Sequence, residues 1–255
     1  MDTAPQPTRA SALVTDGDAV GQLTSAARVR AGEVVLDLAG LQPERKDAAR
    51  ATVITTLEAV DYGDALVTVR INAVSTMWAY RDVVDVVERV GEFVDCIAIA
   101  DAATPGDVEF VDTLVGMIEQ RIDLAHRIGI EAEIASAAGL MLLDDIVMSS
   151  ERLAAVVLDE AAVAVSLGAS DPLATEVTNA LTGARLAVLT AARAAGVQAV
   201  VAPALPGTDV ASQDHDTPGH RDRFRARVAD ARVLGYDGAR CTHPTEVKAA
   251  NAVFI

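Results

Sequence analysis

Eight short runs rich in Val, Ile, Leu and Ala punctuate the chain: SALVT (11–15), EVVLDL (33–38), ALVTVRI (65–71), VDCIAIA (94–100), GIEAEIA (129–135), LAAVVL (153–158), VQAVVA (197–202) and DGARCT (237–242). Between them lie longer stretches in which apolar residues recur at helical spacing. Strict alternation of strand and helix predicts parallel strands joined by crossover helices, and eight such units fit a closed TIM (β/α)8 barrel. Most runs are apolar at consecutive positions. That pattern suits strands covered by helices on one face and by a packed barrel interior on the other. A doubly wound open sheet is the alternative. PERKDAARATVITTLEAV (43–60) and PGDVEFVDTLVGMIEQRIDLAHRIG (105–129) read as helices, the first opening on Pro43, where a missing N–H costs little. PALPGTDVASQDHDTPGHRDR (203–223) reads as the one long polar loop, following the seventh strand.

With 255 residues, 51% of them apolar, the chain is long enough to bury one large core. Residues 1–255 are therefore expected to form a single domain behind a flexible N-terminus, MDTAPQPTRA (1–10), in preference to two independent domains. No run approaches the roughly 20 uncharged apolar residues of a membrane span, and the N-terminus lacks the basic and apolar regions of a signal peptide. The expectation is a soluble cytoplasmic protein. Lys and Arg total 21 against 37 Asp and Glu, a formal net charge of −16. Such a surface repels nucleic acid and anionic membranes, and at 3% aromatic content few rings remain on which a base could stack. Cys96 and Cys241 lie in aliphatic segments with no second thiol or His at metal spacing and are read as buried, reduced thiols.

Reactive groups of a (β/α)8 barrel come from the C-terminal ends of its strands. Here those ends carry Asp37, Arg70, Asn72, Asp101, Ser136, Asp159, Glu160 and His243. Among them stand the unreactive Ala39, Gly40, Ala135, Ala161, Ala162, Val201 and Ala202. No G-x-G-x-x-G, G-x-x-x-x-G-K-[ST], G-x-S-x-G or paired-Cys motif is present, so nucleotide-binding and hydrolase readings gain no support.

VVLDLAGLQPERKDAAR, VRINAVSTMWAYRDVVDVVE, IEAEIASAAGL, SLGAS and LGYDGARCTHPTEVKAANAVF fall in one order that resembles the HpcH/HpaI aldolase and citrate lyase β-subunit family, most closely its malyl-CoA lyase branch. The resemblance runs from about Ser11 to Phe254. It implies a TIM barrel that binds an acyl-CoA thioester and Mg2+ and makes or breaks a carbon–carbon bond beside a carbonyl. It also implies functional groups that this chain replaces. The acidic pair after LDL is Ala39 and Gly40; the two metal-binding carboxylates fall on Ala135 and Ala162. A Pro-Lys pair becomes Ala100 and Asp101, and the Arg and Lys of the first helix become Gln22 and Ser25. An Asp-Gly pair becomes Val201 and Ala202, and a Lys before THP becomes Ala239. The family's C-terminal lid has no counterpart before Ile255, so the expected architecture is the barrel alone.

Arg70 is the group that clearly survives, at the position where the family binds a substrate carboxylate. Its favoured reading is nonetheless a structural ion pair with an acid such as Asp37 or Asp101. Asp101, Asp159 and Glu160 are weak candidates for a displaced metal site, weakened further because adjacent residues on a strand end point apart. His243 reads as a packing histidine. His215 and His220, with Asp214 and Asp216, form a compositional cluster better read as solvated loop, and Trp78 and Tyr80 read as rim packing beside a helix capped by Ser75 or Thr76. These residues point to a lyase-like pseudoenzyme: a structural or regulatory subunit in a homo- or hetero-oligomer, paired with an intact lyase homologue, with an acyl-CoA as candidate ligand and no cofactor. The competing hypothesis is an active lyase, Mg2+-dependent through a displaced site or metal-free, acting on a malyl-CoA-like or citramalyl-CoA-like thioester. A third reading is a binding module that keeps a CoA or carboxylate pocket as a sensor.

Overall fold

The computed structural model describes residues 9–172, 174–205 and 218–255. Its strands are β1 (Ser11–Asp16), β2 (Glu33–Asp37), β3 (Leu66–Ile71), β4 (Cys96–Ile99), β5 (Gly129–Ile134), β6 (Leu153–Asp159), β7 (Gln198–Ala202) and β8 (Gly238–Cys241). They pair in parallel, in sequence order, and β8 closes onto β1. Each of the eight apolar runs supplies one strand, and the closed barrel replaces the open-sheet alternative. Around it lie α1 (Val20–Ala26), α2 (Lys46–Leu57), α3 (Ala79–Val90), α4 (Pro105–Ile122), α5 (Ala137–Met141), α6 (Leu143–Val147), α7 (Glu160–Ser166), α8 (Thr175–Ala180), α9 (Thr182–Ala195), α10 (Pro218–Leu234) and α11 (Pro244–Phe254). No helix among the described residues is long and apolar enough to cross a membrane.

Local chemistry sets several boundaries. Thr104 and Asp107 form a capping box that starts α4 with Pro105 in its first turn, and His243 with Glu246 does the same for α11 behind Pro244. The helical reading of 105–129 is too long: Asp123 adopts a left-handed φ of 54° and ends α4 at Ile122. The loop reading of 203–223 is shortened by α10, which begins at Pro218. Residues 206–217, including Asp214, His215 and Asp216, lie outside the described residues.

The helix-facing sides of the strands build the main core. Leu36, Val69, Ile97, Ile130, Val156 and Val201 pack with Val53, Val83, Val111 and Val188 of the helices, all essentially buried. The opposite side holds a small apolar cluster, Ala155, Val157 and Val200. Charge surrounds this cluster within the packed interior. At the N-terminal end of the barrel, the Arg9 guanidinium reaches Glu131 at 2.5 Å and the Gln198 Oε1 at 2.5 Å, while Arg240 pairs with Glu131 and lies 3.5 Å from Glu33. Arg9 and Ala10, assigned from sequence to the flexible N-terminus, are thus buried; residues 1–8 of that segment are not described. Burial would raise the Glu131 carboxyl, but Arg9 and Arg240 outweigh it and hold the group low. Burial pushes Glu33 up to about 7, Glu131 adding to the effect.

Candidate functional site at the barrel mouth

Strand residues of one parity face one side, so Glu33 and Asp37 on β2, Thr68 and Arg70 on β3, Glu131 and Glu133 on β5, and Val157 and Asp159 on β6 share the inner face. At the C-terminal end the outermost of these converge on Arg70. Its Nε donates to Glu133 Oε2 at 2.8 Å and its Nη2 to Glu133 Oε1 at 2.5 Å, a two-pronged pairing along one edge of the guanidinium. Nη1 donates to both oxygens of Asp37, at 3.0 and 3.1 Å. Burial opposes the charge on Arg70, yet Glu133 and Asp37 outweigh it and raise the pKa. Arg70 keeps 18% of its side chain exposed, against 10% for Asp37 and 6% for Glu133. Two carboxylates on one guanidinium give the cluster a negative balance. Beside it, burial and the charge of Glu133 push Asp159 up to about 6, against the lowering effects of the Ala162 amide and Arg70.

Ala39 and Gly40 take part in this arrangement through their backbone. The Ala39 N–H donates to Asp37 Oδ1 at 2.7 Å and the Gly40 N–H to the same oxygen at 3.3 Å, so the loop after β2 wraps the carboxylate that holds Arg70. A Cβ on Gly40 would stand 2.9 Å from Asp37 Oδ2, so that carboxylate would have to shift to admit it. Lys46, almost fully buried at the start of α2, ties down the same loop. Its ammonium donates to Leu38 O at 3.2 Å, Ala39 O at 3.3 Å and Asn72 Oδ1, and lies 5.0 Å from the Trp78 ring centroid. Burial lowers the Lys46 pKa although Asp82 and Asp37 oppose it.

The three candidates for a displaced metal site are not brought together. Asp159 caps α7, accepting from the Ala162 N–H at 2.9 Å. Glu160, the next residue, is buried on the helix side, pairing with Arg185 and with Arg227 at 2.9 Å and accepting the Ala204 N–H at 2.9 Å. Asp101 takes a left-handed φ of 52° in the turn after β4. Asp37 and not Asp101 is the Arg70 partner among the acids named from sequence. His243 caps α11 with its ring, and His220, grouped with a solvated loop from sequence, is buried on α10 with Nε2 2.6 Å from Glu246. Trp78 starts α3 with no side-chain cap, in place of the Ser75 or Thr76 expected. Cys96 and Cys241 are buried free thiols. Sequence reasoning missed Glu133, Lys46 and Arg9; for Glu133 the signal was its place two residues from Glu131 in an apolar strand.

Mg2+ demands several hard oxygen donors in near-octahedral geometry. The residues at this mouth do not fit that demand. Asp37 and Glu133 have their oxygens on a guanidinium, which would itself repel a divalent cation, and Ala135 and Ala162 carry no donor in their side chains. Among the described residues, no three His, Cys, Asp or Glu side chains stand together in a way that could hold an ion.

A model of one family, described as HpcH/HpaI aldolase/citrate lyase, matches residues 16–244. An L-malyl-CoA/beta-methylmalyl-CoA lyase of Cereibacter sphaeroides is 31% identical over a match covering 83% of this chain and 68% of the relative. A (3S)-malyl-CoA thioesterase of the same species is 30% identical, with 96% of this chain and 76% of the relative covered. Among solved structures, the protein CitE from Mycobacterium tuberculosis in complex with magnesium and acetate superposes with a TM-score of 0.74 at 21% identity, over 97% of this chain and 91% of that one. At that identity the likeness speaks for the fold alone.

Proposed function

From the premise that the chain belongs to the HpcH/HpaI aldolase/citrate lyase family, we propose that it is a lyase-like barrel without metal-dependent carbon–carbon cleavage at its own mouth. In this reading it serves as a structural or regulatory subunit of an acyl-CoA lyase assembly. The observation that carries the reading is the composition of the mouth. Where the family resemblance calls for carboxylates at Ala39–Gly40, Ala135 and Ala162, the chain offers methyl groups and backbone; of its acids there, Asp37 and Glu133 are bound to Arg70 and Asp159 caps α7. A cation that stabilises a developing enolate oxygen would find no converging set of free carboxylates among the described residues. Losing even one donor to such an oxygen costs about 2.7–4 kcal/mol of transition-state stabilisation, and losing the cation costs at least that.

The test uses purified protein with malyl-CoA and excess Mg2+, following both acetyl-CoA and free CoA. The expected result is no acetyl-CoA above the uncatalysed rate. Calorimetry is expected to find Mg2+ binding weaker than a Kd of about 1 mM, near −4.1 kcal/mol. Cleavage, or tighter metal binding, would overturn the reading. Release of free CoA instead would assign the chain the hydrolytic chemistry named for one of its relatives. For the subunit role, light scattering should detect self-association, or association with an intact malyl-CoA lyase; a monomer that gains no mass with the lyase would refute that role.

A further inference from the structure

We infer that Glu133 is a built-in occupant of the Arg70 guanidinium fork, and that this one side chain sets the charge selectivity of the mouth by keeping carboxylate ligands off Arg70. A guanidinium binds an external carboxylate best through two parallel N–H donors on one edge. The Nε–Nη2 edge of Arg70 is filled by Glu133, with bonds of 2.8 and 2.5 Å, and Nη1 faces both oxygens of Asp37 at 3.0 and 3.1 Å. No complete edge is left for an incoming acid.

Both partners are held in place by backbone. Asp37 accepts from the Ala39 and Gly40 amides, and its strand is in register with Arg70 itself. Glu133 stands on β5, where its carbonyl accepts the Ala102 N–H at 2.8 Å from the turn after β4. Gly139 lies against that same turn, since a Cβ there would meet Ala102 O at 2.8 Å. The Glu133 side chain itself is 6% exposed and makes two bonds to Arg70, so it has less room to swing aside than a surface side chain. An entering carboxylate must also approach two fixed negative charges around one positive one. At short range, between partly buried groups, that repulsion is weakly screened.

The two acids do different jobs in this arrangement. Glu133 occupies the two-donor edge and blocks it, whereas Asp37 sits on the remaining nitrogen and positions the guanidinium. Removing Glu133 should expose a carboxylate site, and removing Asp37 should not. The inference rests on the proposed reading of the mouth as metal-free, but its test needs neither metal nor thioester. Cleavage of malyl-CoA would overturn that reading and leave this result standing, and the converse also holds.

The experiment is chemical rescue. Glu133→Ala deletes the equivalent of one acetate from the mouth, so sodium acetate is the probe, with sodium chloride at matched ionic strength as the control. The expected result is a lowered melting temperature for Glu133→Ala that acetate restores in part, with affinity at least about tenfold above that of the unaltered protein. Glu133→Ala/Arg70→Met and Asp37→Asn should show no acetate-specific rise. Equal rises in the unaltered protein, or a rise that survives loss of Arg70, would overturn the inference. If Glu133→Ala does not fold, Glu133→Ser, which opens the same space, is titrated with oxalate by calorimetry. Binding by that variant and not by the unaltered protein supports the inference; equal binding by both, or by neither, refutes it.

Discussion

Asp159→Asn should stabilise the protein at neutral pH and lose that effect in acid. The side chain caps α7 by accepting from the Ala162 N–H at 2.9 Å, and an Asn carbonyl oxygen can accept the same bond. What the substitution removes is a carboxylate held in an unfavourable place, half-buried and facing Glu133, with its pKa pushed from 3.8 to about 6. A carboxyl whose folded-state pKa is raised binds protons more tightly in the folded state than in the unfolded chain. Stability from this group is full below about pH 4, falls as pH rises through about 6, and stays low above that. A shift of about two pKa units at 1.36 kcal/mol each gives an upper limit near 3 kcal/mol. Asn carries its own cost of burial, so the expected gain is about 1–3 kcal/mol near pH 7.5. Urea unfolding of both proteins across about pH 4–8, compared as the difference between them, isolates this group from every other that titrates. A difference that is flat with pH, or a loss of stability at neutral pH, would refute the reasoning.

Arg70→Met leaves Asp37 and Glu133 as neighbouring, partly buried carboxylates without their shared cation, and should cost about 3–5 kcal/mol. Adding Glu133→Gln should return a large part of the loss, a non-additivity that a double-mutant cycle in urea would measure. Gly238→Ala would place a Cβ 1.7 Å from the Arg9 carbonyl oxygen, which the backbone cannot accept without moving the N-terminal segment off β8. Withdrawing Arg9 from Glu131 and Gln198 should then cost at least about 2 kcal/mol, and melting curves together with amide exchange at Ala239, whose N–H bonds to Ala10 O at 3.3 Å, would report it.

The barrel was legible because its signal is repeated: eight apolar runs, each followed by a helical stretch, leave little freedom in topology. The interior was less legible because consecutive apolar positions say that both faces of a strand are covered without saying by what. The clue lay in the parity of the exceptions. Glu33 and Asp37, Glu131 and Glu133, Thr68 and Arg70 sit at even separations within apolar strands, which places each pair on one face, and a carboxylate or guanidinium there must find a partner across the barrel. Arg9 gave no such sign. It precedes the first run in a polar, Pro-containing segment, and its burial depends on Glu131 and Gln198, 122 and 189 residues away.

The same contrast gives Ala39 and Gly40 a structural part through their backbone amides. Read along the chain, they are places where a family carboxylate is missing. In the fold, the loop closes over Asp37 with two amides on Oδ1, and a Cβ at Gly40 would push on Oδ2 of that carboxylate. That closure holds Asp37 against Nη1 of Arg70, which leaves the Nε–Nη2 edge to Glu133. An acid restored at Gly40 alone would meet Asp37 before it met any metal. On the proposed reading, building a metal site here would require releasing Arg70 from Glu133, together with new ligands at Ala135 and Ala162.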